Sequence, residues 1–325
     1  MTSASYTPTY TPNHRHFLPA FLRSFGSTDK MPSGVNDWDS PLSEEHPVPV
    51  VLFHGTWMSS YGTWSLIAPE LANHGYRVFA LNYGTNPESF LGRRKCCFAN
   101  GPLLESQDEV AAFIDRVLEA TGAEQVDVIG HSQGSAQTRL LLSEHEGRFA
   151  GGAPKIRNVI GIAGAGHGTT LMGIGSGLSR LRDKLEGKFD LSKLLRKTLG
   201  QCAEDQVVGS DVVAHINRNG DTVPGVTYTM IGSKYDEIVT PWRIQFLEAG
   251  EGATAHNFSV QDDNPTDMSD HLSLLYSPRT LDLILERLSD SDSGEDGAYR
   301  RDHPMVTGRV LPLLGLIGKA GQVGR

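Results

Sequence analysis

The sequence predicts an α/β fold with a mostly parallel central sheet flanked by helices. Three features carry that reading. Apolar runs of strand length alternate with stretches of helical period between residues 46 and 288. The strand-like runs are almost continuously apolar, as strands covered on both faces are, rather than alternating. One of them, "QVDVIG", passes through a glycine-framed His-Ser-Gln into a helical pattern, the kind of handover found at the carboxyl end of a parallel strand.

Residues 1–45 hold many Thr, Pro, Ser and Asn, including "YTPTYTP", and read as an extended or disordered lead-in. The first strand is "VPVVLF" (48–53). "TWSLIAPELANHG" (63–75) has helical spacing and closes on a glycine, and "YRVFALNY" (76–83) is the next strand. Ser106 and Glu109 have the spacing of a capping box ahead of "VAAFIDRVLEATG". "QVDVIG" is a strand and "SAQTRLLLSEH" a helix. "IRNVIGIAG" (156–164) and "GVTYTMIGS" (225–233) are further strands. The last helix spans 277–288, with Ser277 at its N-cap and Pro278 in its first turn. An insert over 165–220, containing the amphipathic stretch 178–199, reads as a helical cap over one end of the sheet. Residues 289–325 form a tail. Its "SDSDSGEDG" lacks the glycine a calcium loop needs at the sixth position, which is Glu295, and reads as a solvated linker. "VLPLLGLIG" (310–318) is expected to pack on the body, with contact to a lipid surface as the alternative.

With 325 residues, 38% of them hydrophobic, the chain can bury a large core. A net charge of −9 disfavours nucleic acid or an anionic membrane as the main partner. Three cysteines make no disulfide framework. The first residues lack the basic start, long apolar run and small-residue cleavage site of a signal peptide, so the expected compartment is cytoplasmic, with secretion or the cell envelope as the alternative.

Gly130-His131-Ser132-Gln133-Gly134 matches G-x-S-x-G between a strand and a helix, the context of a nucleophile elbow. So tight a turn leaves room only for small residues two positions either side of Ser132, hence Gly130 and Gly134. A hydroxyl needs a base at neutral pH, and in this architecture the chain order is Ser, acid, His. Asp236 follows the strand at 225–233, and His271 precedes the last helix. The expected set is Ser132 as nucleophile, His271 as base and Asp236 as its orienting acid. Asp262, Asp263, Asp267 and Asp270 are rival acids, and Glu237 is expected to point elsewhere. His54, His167 and His256 are rival bases, His54 more simply ordering its own loop. The oxyanion donors are expected at the backbone N–H groups of Gln133 and of Thr56, in "HGTW". Trp57, Trp64, Leu171 and Met172 are candidates to line an acyl pocket. The glycine-rich stretch 161–177 lacks G-x-G-x-x-G in register, so no nucleotide site is read there. No metal and no cofactor is called for.

At these residues the sequence resembles the bacterial triacylglycerol lipases and esterases of the α/β-hydrolase superfamily, the group called lipase class 2. "HPVPVVLFHGTW", "GYRVFALNYGT", "VDVIGHSQG", "GIAGAGHGTT", "GDTVPGVTYTMIGSKYDEIVTP" and "DMSDHLSLLYSP" carry the likeness over residues 34–288. The resemblance implies an α/β-hydrolase domain over 46–288 acting on acyl glycerols or small esters, with transient contact to a lipid interface. Ser40 and Asn264 stand where the resemblance implies cysteines, which leaves Cys202 without its counterpart and "RRKCCFANGP" (93–102) unusual. Acyl transfer or thioester cleavage with the same triad is the alternative activity. A hydrolase-fold protein that binds without catalysis is the alternative of another class.

Overall fold

The computed structural model describes residues 10–26, 29–144, 154–170 and 191–293. Six strands form one sheet: β1 (Val50–Phe53), β2 (Val78–Leu81), β3 (Val126–His131), β4 (Ile156–Ile162), β5 (Thr227–Gly232) and β6 (Thr254–Ser259). Their order is β2-β1-β3-β4-β5-β6 and every pairing is parallel. The chain leaves β1 toward β2 on one side and returns to β3 on the other. A parallel sheet leaves a crevice outside its carboxyl ends where the winding reverses in this way. The pairings Phe53↔Gly130 and His131↔Ile162 bring the ends of β1, β3 and β4 together at that place.

Side chains alternate across the sheet with period two. Val50 and Leu52 face one side with Ile129, Ile160 and Ile231, under the helix Pro278–Ser293. Val51 and Phe53 face the other with Val128, Val159 and Tyr228, under α4 (Gln107–Thr121). Both faces are therefore dry, and this is why the strands read as unbroken apolar runs. Among the described residues no helix is long and apolar enough to cross a membrane.

The structure departs from the sequence expectations at several points. β6 is absent from the sequence reading. Its pattern "TAHNFS" is polar and its burial partial, because it is an edge strand paired only with β5. The lead-in is not simply extended. α1 (Phe17–Ser24) forms within it and buries Phe17 and Ala20 against the body. Val35 bridges to Val78, and Asn36 exchanges hydrogen bonds with Ala80. The capping box at α4 does not form. Ser106 donates to the Pro102 carbonyl instead, while the Glu109 carboxylate accepts from the Gly84 N–H. The Ser277 hydroxyl donates to Asp267 at 2.6 Å. The last helix runs on to Ser293, into the stretch read as a linker. Of the amphipathic stretch 178–199, the described part is the helix Leu191–Leu199. Residues 178–190 and 310–318 lie outside the described residues.

Candidate active site

Ser132 follows β3 directly, and α5 (Gln133–Glu144) begins at the next residue. Its φ is +53°, in the left-handed region that non-glycine residues rarely occupy. Neighbouring backbone enforces the turn. The Ser132 N–H donates to the Ile162 carbonyl at 2.9 Å, and its own carbonyl accepts from Ala165 at 3.2 Å. A Cβ on Gly134 would overlap the Phe53 carbonyl, and one on Gly130 would meet the Ser135 amide and the Gly134 backbone. These glycines are required by close approach of backbone to backbone.

In the first turn of α5 the Ser135 and Ala136 amides donate to the Ser132 carbonyl, and the Gln133 and Gly134 amides lie at the positive end of the helix. Thr56 follows β1, on the opposite side of the crevice. The Thr56 hydroxyl donates to the Gln133 side-chain oxygen at 2.7 Å, so the two expected oxyanion residues are tied to each other. Gln206 completes the knot. Its amide donates to the Thr56 hydroxyl at 2.9 Å and to the Gln133 oxygen at 3.1 Å. Gln206 bears no motif, and the sequence reading missed it; only the return of the insert over the sheet brings it here.

His271 is 4% exposed, and its Nδ1 lies 2.8 Å from Asp236 Oδ2. Asp236 is held in turn by the Ile238 and Val239 amides and by the Gln245 side chain, each at 2.9 Å. Burial alone would depress the imidazole pKa. The Asp236 carboxylate overrides it by charge and hydrogen bond, with Glu237 and Asp270 adding, and His271 ends above its ordinary value. His131 supports this segment from below. Its Nε2 faces the His271 carbonyl at 3.1 Å, an acceptor, so Nε2 carries the proton. Burial and the adjacent His271 hold His131 well below its usual pKa, and it stays neutral. The two rings lie 4.8 Å apart, which sets His271 beside the residue preceding Ser132. The Ser132 hydroxyl is not within hydrogen-bonding geometry of the imidazole, a looseness common before substrate binds.

The rival groups are engaged elsewhere. Asp262 pairs with Lys234 at 2.9 Å, and Asp267 takes Ser277 and the Ser269 amide. Asp270 accepts from the Ser273 amide and hydroxyl. His54 turns Nδ1 to the Gly55 carbonyl at 2.9 Å, and burial pushes its pKa down to about 4. His167 lies between the Ile244 carbonyl and Asp221. His256 is on the edge strand β6, beside Phe258. The side chain of Asp263 is outside the described residues.

Glu237, expected to point elsewhere, is buried close enough to His271 for their charges to act on each other. It is 2% exposed, its oxygens have no hydrogen-bond partner among the described residues, and it feels the charges of Asp270, Asp236 and His271. Burial first, then the two carboxylates, push its pKa from 4.5 to about 7. Between those values the native chain holds a proton that the unfolded chain has lost. Stability therefore falls as pH rises through that window, by roughly 3 kcal/mol in all. Glu237→Gln is expected to flatten this dependence. Urea unfolding at pH 5 and pH 8 checks it, and an unchanged difference between the two would show that Glu237 ionises freely.

Of the pocket candidates, Trp64 needs correction. It is fully buried in the core cluster that holds Ile67 and Leu71 and offers no surface to an acyl chain. Trp57 is half-buried with φ +57°, and its indole N–H donates to the Leu199 carbonyl at 2.7 Å. It thereby joins the Thr56 loop to the insert helix. Leu171 and Met172 lie outside the described residues. Among the described residues no cluster of His, Cys, Asp or Glu could hold a metal ion.

Known proteins resemble this chain. A family model described as the alpha/beta hydrolase fold matches residues 48–205. Epoxide hydrolase B of Mycobacterium tuberculosis is 32% identical over 135 residues, covering 40% of this chain and 35% of that protein. A triacylglycerol lipase of Pseudarthrobacter phenanthrenivorans is 30% identical over 100 residues, 29% of this chain and 28% of the relative. The chain thus spans about a third of the length of these curated relatives. The structure of Aspergillus fumigatus lipase B aligns with a TM-score of 0.55 at 20% identity, over 90% of this chain and 64% of that one.

Proposed function

We propose that this chain, an α/β-hydrolase by fold, is a serine hydrolase that cleaves carboxylic esters of acyl glycerols or similar lipids. The observation that carries the reading is a left-handed serine at the crevice, next in the chain to a histidine whose ring lies 4.8 Å from a buried imidazole paired with a carboxylate. In this reading His271 Nε2 takes the Ser132 proton as Oγ attacks the ester carbonyl. The Asp236 carboxylate keeps Nδ1 protonated and stabilises the imidazolium that forms. Negative charge gathers on the former carbonyl oxygen, where the Gln133 and Thr56 N–H groups receive it. Gln206 is a positioning residue that fixes the Thr56 hydroxyl and the Gln133 side chain. The C–O bond to the alcohol breaks, and His271 returns its proton to the departing oxygen. Water, deprotonated by His271, then attacks the acyl-enzyme, and the acid leaves with Ser132 restored.

The epoxide hydrolase relative raises another bond to break. A serine alkoxide opening an epoxide would leave an ether on Ser132, which water does not cleave under these conditions. Attack on an ester leaves an acyl-enzyme that water does cleave. Ser132 at the elbow therefore supports ester chemistry. A fluorophosphonate probe is expected to label the wild-type chain and not Ser132→Ala, and p-nitrophenyl esters from acetate to palmitate are expected to turn over only with the former. Labelling that survives in Ser132→Ala would sink the assignment.

A further inference from the structure

α1 is apolar on both of its faces. Phe17, Ala20 and Ser24 are buried, with Phe17 edge-on to Tyr276 at 6.3 Å and the Phe21 backbone over Gly62. On the outer side Leu18, Leu22 and Phe25 are 53%, 59% and 49% exposed. Their spacing of four and three places them in one stripe on the helix surface. Arg23 is exposed on the same helix, about a quarter turn past Leu22, and Arg15 is exposed just before the helix. Lys30 sits 4.4 Å over the Tyr61 ring, on the helix α2 (Ser60–Trp64) against which α1 packs.

The charge of this corner is opposite to that of the whole molecule. Residues 10–30 contain Arg15, Arg23 and Lys30 against the one acid Asp29, while the chain carries −9. The basic groups lie close enough to act on one another. Burial, then Lys30 and Arg23, lower the His14 pKa, and burial, then Arg23, lower that of Lys30. A stripe of large apolar side chains with cations nearby matches a surface that is apolar beneath and anionic on top. Charges separated by more than a Debye length are screened, so the −11 carried outside residues 10–30 leaves this corner's attraction intact and orients the molecule with it toward such a surface.

We propose that the outer face of α1 docks on a lipid surface bearing anionic headgroups. Leu18, Leu22 and Phe25 enter the acyl boundary, and Arg15, Arg23 and Lys30 meet the headgroups. α1 rests on α2, which follows the Thr56 loop, and on the turn Ser273–Tyr276, which follows His271. Docking there holds a lipid surface on the two segments that flank the crevice. The inference does not depend on ester cleavage, because its readout is binding.

The test is flotation of the full chain carrying Ser132→Ala, which leaves vesicle lipids intact in any case. The vesicles are phosphatidylcholine alone or phosphatidylcholine with a one-third share of phosphatidylglycerol. Binding is expected to the anionic vesicles, to weaken with salt, and to fall on the order of tenfold in Leu18→Ser/Leu22→Ser and in Arg15→Glu/Arg23→Glu. In the Ser132 background both double variants are expected to keep wild-type turnover of p-nitrophenyl butyrate, which shows that they fold. Equal binding to both vesicle types, binding unchanged in the variants, or no binding overturns the proposal. So does a concentration-dependent dimer that Leu18→Ser/Leu22→Ser dissolves without vesicle binding, since the stripe would then cover a second copy.

Discussion

Asp236→Asn is expected to lower kcat/KM for a soluble ester by about ten-thousand-fold, nearly all of it in kcat. An amide in that place can turn its oxygen or its NH2 toward His271, but it carries no charge. The imidazolium formed at attack then sits in a buried site without its counter-ion, and the neutral ring no longer has an enforced tautomer. The pH profile carries a second signature. A base must be unprotonated to act, so the Asp236 charge that lifts the His271 pKa also moves the acid limb of kcat/KM to higher pH. Loss of that charge is expected to bring the residual activity's acid limb down. Stopped assays with p-nitrophenyl butyrate across pH 5–9 read both effects. A loss under tenfold would show that Asp270 or Glu237, the other carboxylates acting on this imidazole, supplies the orienting charge.

Gly134→Ala is expected to cost about 4 kcal/mol or more of stability, the range reserved for changes the surrounding structure cannot absorb. The added methyl overlaps the Phe53 carbonyl, which is backbone of a central strand and has nowhere to move. Gly122 provides the control. It ends α4 at φ +70° with open space around its would-be Cβ, so Gly122→Ala meets only the left-handed backbone penalty, about 1 kcal/mol. Urea midpoints of the two variants separate the causes. Similar midpoints would mean that the elbow has slack and that Ser132 is not held as tightly as its φ implies.

The centre of the candidate site is more legible in the sequence than its margins. Ser132, Gly130 and Gly134 stand in one pentapeptide, because the steric demand of a strand-to-helix turn falls on adjacent residues. The order of Asp236 and His271 was readable from the winding of parallel strands, each of which ends near the same rim. β6 escaped because an edge strand has one neighbour and need not be apolar. α1 escaped because its helical face spans only eight residues inside a stretch dominated by Thr, Pro and Ser. Trp64 and Trp57 are indistinguishable as letters, yet one is enclosed by core on every side and the other reaches across to Leu199. Glu237 lies in a loop beyond β5, where the alternation of a strand does not decide direction.

By itself the sequence determined the alternation of strands and helices, the covering of the sheet on both faces and the residue at the elbow, because each follows from spacing over a few neighbouring positions. Only the tertiary structure decided that Gln206 meets Thr56 and Gln133 from 73 residues or more away, that Glu237 is buried without a hydrogen-bond partner among the described residues, and that α1 packs on the segments flanking the crevice with Leu18, Leu22 and Phe25 left exposed. Such contacts depend on where the chain returns in space, and no short-range pattern of side chains encodes that return.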